Sequence, residues 1–247
     1  MHKDKIIEML REDEHYYGEF GKNYRSNSDI GKLFENPLSL GQDQGPNINF
    51  LIGGYFHTAV LEPEKLEKYK ILNCKTRSSK DYKVKSKGEM CMLTKDVDNI
   101  DAMIEAMMGN DACRELVRGA GKSPNIEYEL PGITELEGLM WKGKADIVNH
   151  DLKLIIDLKT TSSINSFQWS ANKYNYDSQA YVYSKLFGYD FMFIVVDKKT
   201  HQVGIFDCSQ EFLERGAEKV KRASDIFRLF YEDESFDASQ YFINKTL

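Results

Sequence analysis

The stretch Lys142-Gly143-Lys144-Ala145-Asp146-Ile147-Val148-Asn149-His150-Asp151-Leu152-Lys153-Leu154-Ile155-Ile156-Asp157-Leu158-Lys159-Thr160-Thr161 decides the fold of this chain. Trp141, Ala145 and Ile147 fall on one parity, and Lys142, Lys144 and Asp146 on the other. Beyond the turn, Leu154, Ile156 and Leu158 oppose Asp157 and Lys159. Alternation with a period of two predicts half-buried strands. Asn149-His150-Asp151 is a turn signal, so the two strands form an antiparallel hairpin. A loop of two or of four residues puts both polar parities on the same face. Asp146 and Asp157 are then opposite or diagonal neighbours, the diagonal being about 7–8 Å between Cα atoms.

That placement has chemical content. Two carboxylates on adjoining strands can share a hard divalent cation, which prefers oxygen ligands. Lys159 projects from the Asp157 side, where an ammonium can orient water or meet developing phosphate charge. Charged residues on a solvated hairpin face are ordinary, however, and an Asp-x-Lys triplet alone is common. The remainder of the chain must supply the support.

Before the hairpin the sequence is mainly helical. Residues 1–14 read as a charged helix. A short helix is expected at Ser28-Asp29-Ile30-Gly31-Lys32-Leu33-Phe34, capped by Ser28 or Asp29 and closed by Pro37. Gly41 to Asn49 reads as a loop. Ile52, Tyr55, Phe56, Ala59 and Val60 form the apolar stripe of a helix over 51–61, ended by Pro63. Helical spacing returns over 95–118, with a break at Gly109-Asn110. Ile126, Tyr128 and Leu130 alternate with Glu127 and Glu129, which opens the strand region at 125–130. After the hairpin come a long helix at about 165–187, strands at 190–197 and 201–207, and an amphipathic helix at 209–230. Helices, three strands, helix, strands, helix is the order of an α/β sandwich with a mixed central sheet.

Composition narrows the function classes. The chain has 247 residues, 41% hydrophobic and 29% charged, with a net charge of −6, enough for one domain with a sizeable core. No apolar run approaches a membrane span, and Met1-His2-Lys3-Asp4-Lys5 lacks a secretory h-region. A cytoplasmic location is expected. Cys74, Cys91, Cys113 and Cys208 are scattered without a CxxC pair, which argues against a zinc site, a redox dithiol or an iron–sulfur cluster. The net charge does not advertise a nucleic-acid binder, but residues 75–87 carry Lys75, Arg77, Lys80, Lys83, Lys85 and Lys87 against Asp81. Broken by serines and a glycine, this run reads as a basic loop, either merely solvated or reaching for phosphates.

Three further clues accompany the hairpin. Gln179, Val182, Tyr183 and Leu186 share one helical face, so Gln179 turns inward and must find a hydrogen-bond partner. Gln179 and Tyr183 can together contact a phosphate, a water or Lys159. His57 lies at the edge of the 51–61 stripe, just after Gly53-Gly54, which would admit another backbone closely. Glu127 and Glu129 share the polar face of the first strand, and either can join the carboxylates.

Taken together, these features resemble the RecB-like branch of the PD-(D/E)xK nuclease superfamily, and within it the exonuclease VIII (RecE-type) domain of phages and prophages. The resemblance runs from about Ser28 to Tyr183. It is carried by Ser28-Asp29-Ile30-Gly31-Lys32-Leu33 with Asn36-Pro37, and by Gly53-Gly54-Tyr55-Phe56-His57-Thr58-Ala59-Val60-Leu61-Glu62-Pro63-Glu64. Gly143-Lys144-Ala145-Asp146, Asp157-Leu158-Lys159-Thr160 and Gln179-Ala180-Tyr181-Val182-Tyr183, the QxxxY element, complete it. The family often has Arg-Pro ahead of its first aspartate, where Lys144-Ala145 stand here; that departure touches a phosphate contact, not the metal.

The resemblance implies a restriction-endonuclease-like α/β core with an N-terminal helical extension, all in one nuclease domain over 1–247. Residues 1–120 would be mainly helical, 121–230 the core and 231–247 a tail. It implies that Asp146, Asp157, Lys159, Gln179 and Tyr183 are catalytic. One or two Mg²⁺ or Mn²⁺ ions would be held by His57, Asp146, Asp157, the Leu158 carbonyl and, of the two strand glutamates, Glu127. Lys144 and the basic residues Lys75, Arg77, Lys80, Lys83 and Lys85 would contact DNA. The implied activity is 5′→3′ exonuclease action on linear duplex DNA in recombination or repair. A single-strand annealing partner and a homo-oligomeric ring around DNA would accompany it, in a bacterial host cell. An endonuclease or single-strand exonuclease with the same core, and a DNA-binding or assembly protein that keeps the fold without catalysis, are the alternatives.

Overall fold

The computed structural model describes residues 2–42, 45–121 and 124–242. Residues 43 and 44 of the expected 41–49 loop, and residues 243–247 of the expected tail, lie outside the described residues.

The N-terminal part is helical. α1 (Lys3–Leu10) and α2 (Asp13–Tyr17) divide the expected single helix. α3 (Asn27–Glu35) is capped two residues before Ser28 and three before Asp29: Ser26 is the N-cap, and Asp29, at the third helical position, returns its carboxylate to the Ser26 amide. α4 (Ile48–Leu61) takes Asn47 as its cap, and Pro63 follows its end. Tyr55, Phe56, Val60 and Leu61 are its buried residues; sealing one such side chain from water stabilises by about 1.5–3 kcal/mol. No backbone approaches Gly53 or Gly54; the nearest neighbour of Gly54 is the Tyr69 hydroxyl.

A small parallel pair, β1 (Ile71–Leu72) and β2 (Met92–Leu93), frames α5 (Lys80–Ser86). The basic stretch is therefore partly helical and not a loop. Ser79 caps α5, Lys85 reaches back to Asp81 at i,i+4, and Tyr82 anchors it by lying buried against Cys74, Cys91 and Leu93. α6 (Thr94–Gly109) and α7 (Asp111–Arg118) meet at the expected break, where Asn110 caps the second helix.

The central sheet has five strands in sequence order: β3 (Ile126–Leu136), β4 (Leu139–Asn149), β5 (Leu154–Thr161), β6 (Asp190–Asp197) and β7 (Val203–Asp207). Only β5 and β6 are parallel. Their crossover contains α8 (Phe167–Lys173) and α9 (Tyr176–Phe187), and α10 (Gln210–Tyr231) closes the described fold. The expected 165–187 helix is thus two helices, parted at Tyr174 and at Asn175, whose φ of 58° is left-handed.

Both faces of the sheet are covered, so the expectation of half-buried strands fails. α3, α9 and α10 pack on one face around Trp141, Ala145, Val148, Ile155 and Phe193. α4, α6 and α7 pack on the other around Ile147, Ile156, Leu158 and Ile194. The polar parity of the hairpin is buried rather than solvated: Lys142, Asp146 and Asp157 are all buried. α9 lies so close to β4 that a Cβ on Gly143 would stand 2.6 Å from the Tyr183 ring, which makes glycine a steric requirement there.

Candidate active site

Two irregularities in the sheet create the site. The first is a break in alternation. Gly132 and Gly143 face the α9 side chains, with Leu130 and Ala145 on the same side. Two residues along, Tyr128 and Ile147 pack with the opposite cluster. The facing of β3 and β4 therefore inverts at Glu129 and Asp146, where the β3–β4 pairing skips one position and Glu129 takes a left-handed φ of 49°. Trp141 and Ala145 therefore lie on the opposite face from Ile147, contrary to strict alternation.

The second irregularity is a splay. β4 and β5 pair only at Asn149↔Leu154, Val148↔Ile155 and Ile147↔Ile156. The next positions, Asp146 and Asp157, stand opposite each other where the ladder opens, both of them buried. The Leu158 amide, released from pairing with β4, donates to Asp146 Oδ2 at 2.8 Å. The four-residue loop makes the two aspartates opposite rather than diagonal.

Two groups of side chains meet at this opening. On one side, His57 of α4, Glu129 of β3 and Asp146 of β4 each offer a ligand atom within 4.8 Å of the others. His57 Nδ1 stands 3.2 Å from Asp146 Oδ2. On the other side, Asp157 receives Lys159 Nζ at 2.7 Å on Oδ2 and Gln179 Nε2 at 2.5 Å on Oδ1. Lys159 Nζ also lies 4.7 Å from the centre of the Tyr176 ring, a cation–π contact.

The electrostatics of the two sides differ. Burial opposes charging His57, but the Asp146 carboxylate outweighs it and raises the imidazole pKa. Burial likewise opposes ionisation of Asp146, yet His57, Lys159 and the Leu158 amide hold its pKa below the ordinary value. For Glu129 burial dominates: burial and then the nearby Asp146 charge push it up to about 8, against the weaker downward pull of His57 and Lys144. Burial lifts Asp157 to about 6, with Lys159 pulling down and Asp146 pushing up. Lys159 loses solvation, but Asp157 outweighs that loss and keeps its pKa above the usual lysine value.

The geometry assigns some expected residues to new partners. Glu127 stands away from the cluster, 3.1 Å from His150 Nε2 and 3.3 Å from Arg11 Nη2; Glu129 takes the place expected for it. Both glutamates have the same parity, so alternation does not separate them. The separating signal is the two-residue turn Glu137-Gly138, with φ values of 51° and 70°, which suits a tight hairpin. Counting back from Leu136↔Leu139 brings Glu129 opposite Asp146. Gln179 is inward as expected but holds Asp157, not Lys159. The Tyr183 hydroxyl donates to the Lys144 carbonyl at 3.1 Å and accepts from the Lys144 amide at 3.3 Å, so it braces β4 beside Asp146. Leu158 meets the site through its amide.

The expected DNA contacts scatter. The Lys144 side chain is only 7% exposed and reaches Asp13 Oδ1 at 2.6 Å over the Tyr16 and Tyr17 rings. Arg77 is paired with Asp96 and donates to the Cys91 carbonyl. Lys75, Lys80, Lys83 and Lys85 are exposed, with Lys85 tied to Asp81.

A cation fits the donor set that is present. Two carboxylates and an imidazole are suited to Mg²⁺ or Mn²⁺.

Comparison with known proteins agrees with this geometry. Residues 39–235 match the model of a PDDEXK-like domain of unknown function (DUF3799). A search of curated proteins returns no match. Among solved structures, a candidate exonuclease from Eubacterium rectale superposes with a TM-score of 0.65 over 88% of this chain and 85% of its own, at 18% identity; the two share a fold. A phage-related exonuclease from Haemophilus somnus 129PT covers 53% of this chain and 70% of its own at 18% identity, with a TM-score of 0.33, too low to bear on the fold. The match spans most of the chain, including the splayed hairpin and the helices on both sides of it, and the chain belongs to this PDDEXK-like family.

Proposed function

We propose that this chain is a metal-dependent deoxyribonuclease that hydrolyses phosphodiester bonds from the ends of linear duplex DNA, in the 5′→3′ direction, during recombination or repair. The observation that carries the reading is the meeting of His57, Glu129 and Asp146 with the Asp157–Lys159 pair across the splay of β4 and β5. The exonuclease direction and the DNA role rest on the resemblance described above; the description of the Eubacterium rectale structure as a candidate exonuclease is in keeping with exonuclease action alone.

His57, Glu129 and Asp146 would hold Mg²⁺ or Mn²⁺, with Asp157 and the Leu158 carbonyl completing the site or a second one. When bound, such an ion supplies Lewis acidity toward water and toward the scissile phosphate. Lys159, with its raised pKa, remains an ammonium at neutral pH, so its role is to stabilise charge on the phosphate rather than to remove a proton. Gln179 fixes the Asp157 carboxylate, and Tyr183 fixes the backbone from which Asp146 projects. In the reaction a water oxygen bonds to phosphorus, the bond to the deoxyribose oxygen breaks, and that oxygen takes up a proton.

The test is incubation with end-labelled linear duplex and closed circular DNA in Mg²⁺ or Mn²⁺, beside Asp157→Ala and Lys159→Ala. Release of label from linear DNA alone, by wild type alone, supports the reading. Equal degradation by wild type and both variants overturns the mechanism. Cleavage of the circle replaces exonuclease with endonuclease action.

A further inference from the structure

We propose that the exposed rings of Trp169 and Tyr174, with Lys173 and the half-buried Tyr176 behind them, bind the single-stranded end of DNA and lead it to Lys159. This deepens the nuclease reading and rests on it. Around the helix break between α8 and α9, Trp169 and Tyr174 are exposed, while Tyr176 is half-buried against Phe167 and Phe193. Trp169 and Lys173 share one face of α8 at i,i+4. Lys173 Nζ lies 5.5 Å from the centre of the Tyr174 ring. Tyr174 is followed by Tyr176, their centroids 6.1 Å apart and their planes inclined by 38°. Tyr176 in turn covers Lys159 Nζ. Ring and amine contacts thus run from Lys173 through Tyr174 and Tyr176 to the lysine beside Asp157, with Trp169 one helical turn from Lys173.

Burial sets these rings apart from the core aromatics. Trp169 is 80% exposed and Tyr174 56%, whereas Trp141 is fully buried. Rings left in water at this density beside a polar site suit a flat partner with π-faces. Nucleobases stack on such rings with little regard to sequence, and interspersed amines meet the phosphates between them. The bases of an intact duplex are stacked on one another and unavailable, so the occupant is a strand already parted from its complement. An enzyme that attacks a strand at its end needs such a place for the freed nucleotides.

The chain's two tryptophans make the test direct. In EDTA, where hydrolysis is excluded, the protein is titrated with fluorescein-labelled oligothymidylate and separately with a blunt duplex. Tryptophan emission and label anisotropy are both recorded. The expected result is quenching of tryptophan emission by the single strand, absent in Trp169→Phe. Affinity should fall about tenfold in Trp169→Ala and in Tyr174→Ala, and be largely kept in Tyr174→Phe. Circular dichroism establishes that the variants, altered only at exposed positions, are folded. Absence of single-strand binding, equal binding of the blunt duplex, or affinity unmoved by both alanine variants overturns the proposal. None of these outcomes touches the nuclease reading, which fails only if wild type is inert or Asp157→Ala is active on DNA with Mg²⁺.

Discussion

Asp146 and Asp157 face each other across the same opening, yet they live in opposite surroundings. Asp157 is already partnered, its two oxygens met by an ammonium and an amide. Asp146 shares its side with Glu129, and its ion pair there is with His57, an imidazole whose charge depends on pH. The contrast teaches how a fold can prepare a site. One carboxylate is held in place by an ammonium and an amide, while the other side sets two carboxyls together, where ionising Glu129 adds a second negative charge beside Asp146. Charge left in that state costs stability unless a cation arrives.

The largest expected effect comes from the partnered side. Asp157→Ala and Lys159→Ala should each lower the DNA hydrolysis rate by at least about 10³-fold, with circular dichroism unchanged, because the first removes a carboxylate that would hold the metal and the second the ammonium that offsets charge on the reacting phosphate. A loss under tenfold in both would show that this side is structural.

On the other side the effect should appear in metal affinity. His57→Ala and Glu129→Gln should shift the Mg²⁺ concentration for half-maximal activity upward by about 10–100-fold. Glu127→Gln should leave it within about twofold, since Glu127 is occupied by His150 and Arg11. The reverse ranking of the two glutamates would break the assignment made from the β3–β4 register.

Gln179→Ala should slow turnover by about tenfold, less than the charge deletions, because Lys159 still holds Asp157. Gln179→Glu should be the more damaging variant, since it places a second carboxylate against Asp157.

The smallest effect is on stability. Glu129 ionises at about 8 in the fold against an ordinary 4.5. Between those pH values the unfolded chain has already released this proton and the folded chain has not, so the contribution of Glu129 falls as pH rises through the window. In chelator, Glu129→Gln should match wild type near pH 4.5. By pH 8 it should exceed wild type by on the order of 1–2 kcal/mol in urea unfolding. Saturating Mg²⁺ should erase the difference or reverse it. A constant offset across the whole range would show that burial, not charge, distinguishes the two sides.

Much of this was readable without coordinates, for identifiable reasons. The hairpin was legible because Asn149-His150-Asp151 interrupts two alternating runs, and the helix over 51–61 because its apolar stripe keeps one phase until Pro63. Local chemistry decides such features. The basic stretch at 75–87 misled because its helix is held by Tyr82 packing against Cys74 and Cys91, which is not a local property. The 165–187 helix misled because one left-handed residue, Asn175, divides it without a proline or glycine to announce the break.

The order of chemical groups along the chain is a property of sequence alone: a histidine on an apolar helix, an aspartate in each of two adjacent strands, a lysine two residues beyond the second, a glutamine on an inward helical face. Which of them touch was decided by the tertiary structure. Three paired residues and then a splay bring the aspartates into opposition, and an inverted strand facing turns Glu129, not Glu127, toward them. Alternation records only parity, whereas contact depends on register and on where a ladder ends, and those are set by helices packing from both sides of the sheet.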